Sequence, residues 1–204
     1  MSIRTNIDKD GEYAFRFSCT DQAGNKSNIA EGGSFIIDTT EPDISVDYGN
    51  DKPQNGKYYN NSRTATITIE DKAFSDEIVR IEPLSTSDVN GLPAISGWTS
   101  NGDAHTAKIS FTEDGVYGFR VTCSDLAGNA AKDYVGEIFI IDRTAPEIVF
   151  DGVRNNSANN GVVAPILRYT DLHLDEAGTQ VTLTGTNNGT VKGNVQKSKI
   201  ENGI

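Results

Sequence analysis

Two histidines, His105 and His173, two cysteines, Cys19 and Cys123, and 29 acidic residues are the groups through which this chain could act on a substrate or hold a metal. Catalysis needs such groups as a constellation: a nucleophile within reach of a base, and donors where charge develops. The sequence has no Gly-x-Ser-x-Gly elbow, no phosphate-binding Gly-Lys-Ser/Thr loop, no His-Glu-x-x-His and no Cys-x-x-Cys. His105 opens an alternating segment and His173 follows an Asp171-Leu172 turn, so both are expected to be structural, solvated or half-buried. No catalytic residue, cofactor-binding residue or metal ligand is assigned, no cofactor is expected, and the chain is not expected to be an enzyme.

The cysteines occupy matching places in a repeat, 104 residues apart, and so are not expected to pair within one domain. Each is in phase with a Tyr-x-Phe pair, Tyr13 and Phe15 or Tyr117 and Phe119, which places both thiols inside as small hydrophobes. Asn6-Ile-Asp-Lys-Asp-Gly11 matches the opening of an EF-hand loop, but the twelfth position is Phe17 where a bidentate Glu is required, so a turn is expected. The acids that invite more thought are Asp38 and Asp142. Each ends an apolar strand beside a proline connector, with Glu41, Asp43 and Glu147 close by in sequence. Hard oxygen ligands clustered at a domain joint suit Ca²⁺, which takes six to eight of them; the plainer expectation is that these acids bond the backbone and solvate the hinge.

The elements that must position these groups follow from one repeated stretch. Asp10-Gly-Glu-Tyr-Ala-Phe-Arg-Phe-Ser-Cys-Thr-Asp-Gln-Ala-Gly-Asn25 recurs as Asp114-Gly-Val-Tyr-Gly-Phe-Arg-Val-Thr-Cys-Ser-Asp-Leu-Ala-Gly-Asn129, with ten of sixteen positions identical. Alternation from Tyr117 to Cys123 predicts a strand with one row inward, bounded by an Asp-Gly turn and an Asp-x-Ala-Gly-Asn turn. A partner strand follows each copy, at 34–38 and 137–142, and then a proline connector, at 39–43 and 143–147. Further strands are expected at 12–20, 43–48, 64–70, 78–81, 105–111, 147–150, 162–169 and 180–184. In the strand at 64–70, Ala65, Ile67 and Ile69 face inward. Trp98, in a Pro/Gly/Ser/Asn-rich stretch over 83–103, is expected in the core.

No helical period appears, and turn signals recur every 8–12 residues. The expected fold is all-β: an antiparallel β-sandwich of about seven strands, in tandem. Domain limits are placed at 1–39 (the closing hairpin of one repeat), 40–143 (a complete repeat) and 144–204 (the opening of a third). Both end pieces are expected to be cut in mid-domain, as in a truncated gene fragment; they add up to about one repeat, and the alternative is that they complement each other head to tail between molecules.

Tyr58-Tyr-Asn-Asn-Ser-Arg-Thr-Ala-Thr-Ile-Thr-Ile-Glu-Asp71, Trp98, the Asp114-to-Asn129 stretch and Ile141-Asp-Arg-Thr-Ala-Pro146 together resemble the bacterial immunoglobulin-like (Big-type) repeats of large cell-surface proteins and adhesins. The resemblance covers 41–142 and the hairpin at 10–38, and more loosely 147–204. It implies a seven-stranded immunoglobulin-like sandwich, an extracellular place on a bacterial surface or in secretion, and work as a spacer or adhesive module. Tyr117 resembles the tyrosine corner of immunoglobulin folds, whose hydroxyl ties back to the backbone. The departure is the missing second cysteine of the inter-sheet disulfide.

A formal net charge of −11 repels phosphate, so nucleic acid is excluded as a partner and an anionic membrane disfavoured. No apolar run approaches the ~20 residues of a membrane span, and Ile3-Arg-Thr-Asn-Ile-Asp8 is too polar for a signal-peptide core. The expected function is a non-catalytic stalk whose partners are neighbouring repeats of the same protein. The alternatives are a module that binds a host glycan or protein through the loop around Trp98, and an accessory domain of a secreted carbohydrate-active enzyme.

Overall fold

A computed structural model of the chain describes residues 3–49, 51–86 and 88–181. The chain divides into two compact units, Met1–Ile141 and Asp142–Ile204.

The first unit opens with two short ribbons. β1 (Gly11–Tyr13) and β2 (Arg16–Phe17) run out; β3 (Ala30–Glu31) and β4 (Phe35–Ile37) return. β1 pairs antiparallel with β4, Gly11 opposite Ile37 and Tyr13 opposite Phe35, which is the expected hairpin; β2 pairs with β3. The single strand expected over 12–20 is therefore interrupted. At the break the Phe15 carbonyl accepts a hydrogen bond from Gly32 N (2.8 Å).

The sandwich follows. Its first sheet has the order β5-β7-β10-β9, built from β5 (Asp43–Asp47), β7 (Arg63–Glu70), β9 (Thr99–Asn101) and β10 (Ala104–Phe111). β7 and β10 are the long strands, in register from Arg63 opposite Phe111 to Glu70 opposite Ala104. Their alternation is the expected one: Ala65, Ile67, Ile69, Ile109 and Phe111 are buried, while Thr64, Glu70, Lys108 and Ser110 face out. Facing this sheet are two smaller ones. One orders β11 (Gly115–Tyr117), β14 (Phe139–Ile141) and β6 (Tyr58–Tyr59). The other orders β13 (Tyr134–Val135), β12 (Phe119–Thr122) and β8 (Arg80–Pro83).

The signature strand is thus split at Gly118. Upstream it bonds to β14, and downstream to β8 and β13. The Phe119 carbonyl accepts from Gly136 N (2.9 Å), the counterpart of the Phe15–Gly32 bond 104 residues earlier. A Cβ at position 118 would lie 3.0 Å from Leu84 Cδ1 and 3.2 Å from Ile138 Cγ1, so at the crossover any side chain would have to displace these two. The strand expected over 78–81 is displaced as well: Asp76–Ile78 form a turn of 3-10 helix and pairing begins at Arg80. Trp98 is half-buried at the margin of the core, its ring tilted on Phe74 with centroids 5.1 Å apart.

The tyrosine corner is present twice. Tyr117 Oη donates to the Glu113 carbonyl (3.1 Å) and Tyr13 Oη to the Lys9 carbonyl (2.8 Å). Cys123 is buried as expected, and burial, then the charges of Asp71 and Asp125, push its thiol up to about 11. Cys19 is exposed, which corrects the expectation from parity. Its row has the same phase, but no second sheet lies over that end of the hairpin among the described residues.

In the second unit, β15 (Glu147–Asp151) pairs antiparallel with β16 (Ile166–Thr170), and Arg168 bonds Asp151 across the pair. The strand expected from 162 begins only at Ile166, because Pro165 has no N–H to place in a ladder. Of the strand expected over 180–184, Gln180 and Val181 lie outside any strand, and 182–184 lie outside the described residues.

Candidate functional site

The Asp-Leu-Ala-Gly-Asn turn gives the first site its shape. Asp125 is 2% exposed, and its Oδ1 accepts from the backbone N–H groups of Gly128 (2.7 Å) and Asn129 (2.8 Å). Gly128 sits at φ 96°, the left-handed turn that closes this loop. Asn129 Nδ2 donates to Asp125 Oδ2 (2.7 Å) and, across the connector, to the backbone carbonyl of Asp38 (3.0 Å). The turn of the sandwich thereby grips the strand end of the hairpin before it. Asp10 grips from the other side: its carboxylate accepts from Thr39 N, Thr39 Oγ1 and Thr40 Oγ1. Those bonds, the Thr39 side chain foremost, hold the Asp10 carboxyl below its usual range, and they spend the group on the connector.

Asp71 completes the group. It directly follows β7 and caps its own turn, with Oδ1 accepting from Ala73 N (2.6 Å). One carboxylate oxygen from each of Asp38, Asp71 and Asp125 lies within 4.8 Å of the other two. Burial, followed by the charges of Asp125 and Asp38, raises the Asp71 carboxyl, against the lowering effect of the Ala73 bond. Burial acts to raise Asp125 too, but the hydrogen bonds from Asn129 and the turn's backbone outweigh it, and its carboxyl is lowered. Asp38 and Asp71 line a cleft of about 740 Å³, together with Asp10, Ile36, Lys72 and Leu126. Chemically this is a cluster of acids in which Asp71 holds a proton more readily than Asp125 does.

The joint's acids are therefore partly those expected and partly others. Asp38 is in the group; Glu41 and Asp43 are exposed and outside it. Asp142 bonds within the second unit, to Thr144 N (3.1 Å) and His173 Nδ1 (2.7 Å), and Glu147 is exposed on β15. Sequence reasoning used Asp125 only as a turn residue and did not single out Asp71. His105 is held on both ring nitrogens: Nε2 bonds the Asp71 carbonyl (2.9 Å), Nδ1 bonds Ser100 Oγ (2.7 Å), and its ring stacks on Phe74.

A second built feature went unseen. Arg63 stands at the head of the inward row of β7 and is 8% exposed. Its guanidinium carbon lies 4.0 Å from the ring centre of Tyr48, 3.9 Å from that of Tyr59 and 4.3 Å from that of Phe139. Nε donates to Asp51 Oδ2 at 2.6 Å. The planar cation thus ties β6, β14 and the end of β5 to β7, the use for which Arg and not Lys is suited. Burial pushes the Tyr48 hydroxyl up.

Beside this cage, β6 and β14 pair in parallel, Ile140 with Tyr58 and Ile141 with Tyr59, extended by Ile140 N donating to the Lys57 carbonyl (2.9 Å). Residues 6–39 match the family model of the bacterial Ig-like domain. That match takes in the tyrosine corner at Tyr13, the Asp21–Asn25 turn and the β1–β4 hairpin, whose counterparts at a 104-residue offset run through the sandwich. No curated protein and no solved structure matches the chain. The bacterial Ig-like domain is a structural and surface module, generally without catalysis, and the all-β sandwich agrees with it. Among the described residues no helix is long and apolar enough to cross a membrane.

Proposed function

We propose that the chain is a load-bearing spacer: a segment of tandem immunoglobulin-like repeats, outside the bacterial cell, that holds other domains at a distance and transmits tension. The parallel β6–β14 pair is the observation that carries this reading. Tension enters the 40–143 repeat before β5, which pairs antiparallel with β7, runs on through the following turn to β6, and leaves after β14. Parallel neighbours pulled from opposite ends are loaded in shear, so their hydrogen bonds must fail together. The Arg63 cage fastens the same two strands to the core. The Asn129–Asp38 bond gives the preceding repeat a fixed point of attachment, so neighbouring repeats are the natural partners.

The adhesive alternative has less support. Trp98, the aromatic platform a glycan would stack on, already packs against Phe74. Binding of the chain to immobilised host glycans and matrix proteins tests the choice. A spacer shows no saturable binding. Saturable binding that Trp98→Ala abolishes would replace the spacer with an adhesin.

A further inference from the structure

β9 and β10 set a serine against a histidine. Ser100 and His105 are directly opposite in the register of the two strands, and Ser100 Oγ lies 2.7 Å from His105 Nδ1. The other ring nitrogen fixes the direction of that bond. Nε2 lies 2.9 Å from the backbone carbonyl of Asp71, and a carbonyl only accepts, so Nε2 carries the hydrogen. In the neutral ring Nδ1 is then the lone-pair nitrogen, and the Ser100 hydroxyl donates to it. One nitrogen of His105 is spent on the fold; the other is a base aimed at a hydroxyl.

The ring is held in this position. Its face stacks on Phe74, with centroids 4.1 Å and planes 8° apart, and Phe74 in turn meets Trp98. The segment that carries the Asp71 carbonyl is itself tied down: Asp71 N donates to the Asp103 carbonyl (2.8 Å), and Ala73 N to Asp71 Oδ1 (2.6 Å). Ser100 is exposed, so a reagent reaches its hydroxyl from solvent. A hydroxyl, a base in contact with it and a third group orienting the base are the parts of an activated nucleophile.

We propose that Ser100 is a reactive serine, a site of covalent acylation by activated acyl donors of the aryl ester and thioester class, with His105 as its base. Ser100 Oγ attacks the acyl carbonyl carbon while its proton passes to His105 Nδ1. The bond from that carbon to the leaving oxygen or sulfur then breaks, and the leaving group takes the proton from Nδ1. The products are an acyl-serine, a free alcohol or thiol, and the neutral imidazole. General-base assistance contributes about 10²–10⁴-fold, and the lower end is expected at an exposed serine. The spacer thereby carries a point at which an acyl group is fixed to its sandwich.

Treatment of the full chain with p-nitrophenyl acetate, with acetylated peptides mapped by mass spectrometry at short times, tests the site. Ser110 is the internal reference, an exposed serine on β10 whose hydroxyl meets Thr64 Oγ1 (3.3 Å) instead of an imidazole. Ser100 is expected to acetylate about 10²-fold faster than Ser110. Ser100→Ala should abolish the fast acetylation. His105→Gln, which cannot take the proton, should slow acetylation of Ser100 by about 10²-fold while the variant still unfolds cooperatively in urea. Should that variant fail to fold, the ratio of Ser100 to Ser110 in the wild type decides alone. Acetylation of Ser100 no faster than of Ser110, fast labelling that settles on His105 or the lysines instead, or a rate at Ser100 that survives His105→Gln would overturn the inference.

Discussion

Arg63 is the residue on which most of the sandwich's closed end depends. A buried guanidinium stripped of its partner leaves a desolvated charge behind, and removing one member of such a pair costs about 3–5 kcal/mol. Arg63→Ala strands Asp51 and empties the space between three rings, so urea unfolding followed by Trp98 emission should show a loss of that size. Arg63→Lys keeps the charge but not the plane, and a smaller loss of about 1–2 kcal/mol is expected. Asp71 gives a pH-dependent prediction. Its folded carboxyl is raised, so between its ordinary value and the folded one the folded state holds more proton than the unfolded state. Its contribution to stability is therefore greatest at low pH and declines as pH rises through that window. Asp71→Asn keeps the acceptor for Ala73 N and removes the charge facing Asp38 and Asp125; at pH 7 it should stabilise the fold, read as a higher urea midpoint, and flatten this part of the pH profile. Both residues were half-legible. Arg63 shares the parity of Ala65, Ile67 and Ile69, but an arginine heading an inward row reads as a strand boundary until its aromatic cage is known. Asp71 joins Asp38 and Asp125 only after three turns fold, and spacing along the chain carries no trace of that.

At the scale of elements, strands with strict alternation were readable because one face is buried: β7 and β10 lie where the pattern put them. What the pattern did not show was a strand changing partners. The run from Tyr117 to Cys123 keeps one phase throughout, yet its backbone bonds leave β14 for β8 at Gly118. Only the space needed beside Leu84 and Ile138 marks the crossover, and that is a tertiary fact. Gly118→Ala should cost about 1–3 kcal/mol by crowding those side chains, measured by urea denaturation. The counterpart position in the hairpin is Ala14, where no contact of this kind forbids a Cβ. Cys19 marks the opposite limit. Phase tells which side of a strand a residue is on, and burial further requires something to lie over that side.

At the scale of the molecule, the repeat made the fold readable and the chemistry unreadable. A sequence written twice points to shared architecture, and the groups with chemical potential turned out to be spent on it: Asp125 on its turn, Asp10 on the connector, His105 on the Asp71 carbonyl. The spacer account then makes a claim about direction. Force along the chain meets β6 and β14 in shear, whereas force between Lys72 and Asp103, at facing ends of the antiparallel β7 and β10, opens a ladder one bond at a time. Single-molecule pulling of the same sandwich through these two pairs of attachment points, residues 40 and 143 against residues 72 and 103, is the most direct test. The account predicts a single cooperative event along 40–143, lengthening the chain by about 300 Å, at a clearly higher force than unzipping requires. Equal forces in the two directions, or gradual extension along 40–143 without a cooperative event, would contradict it.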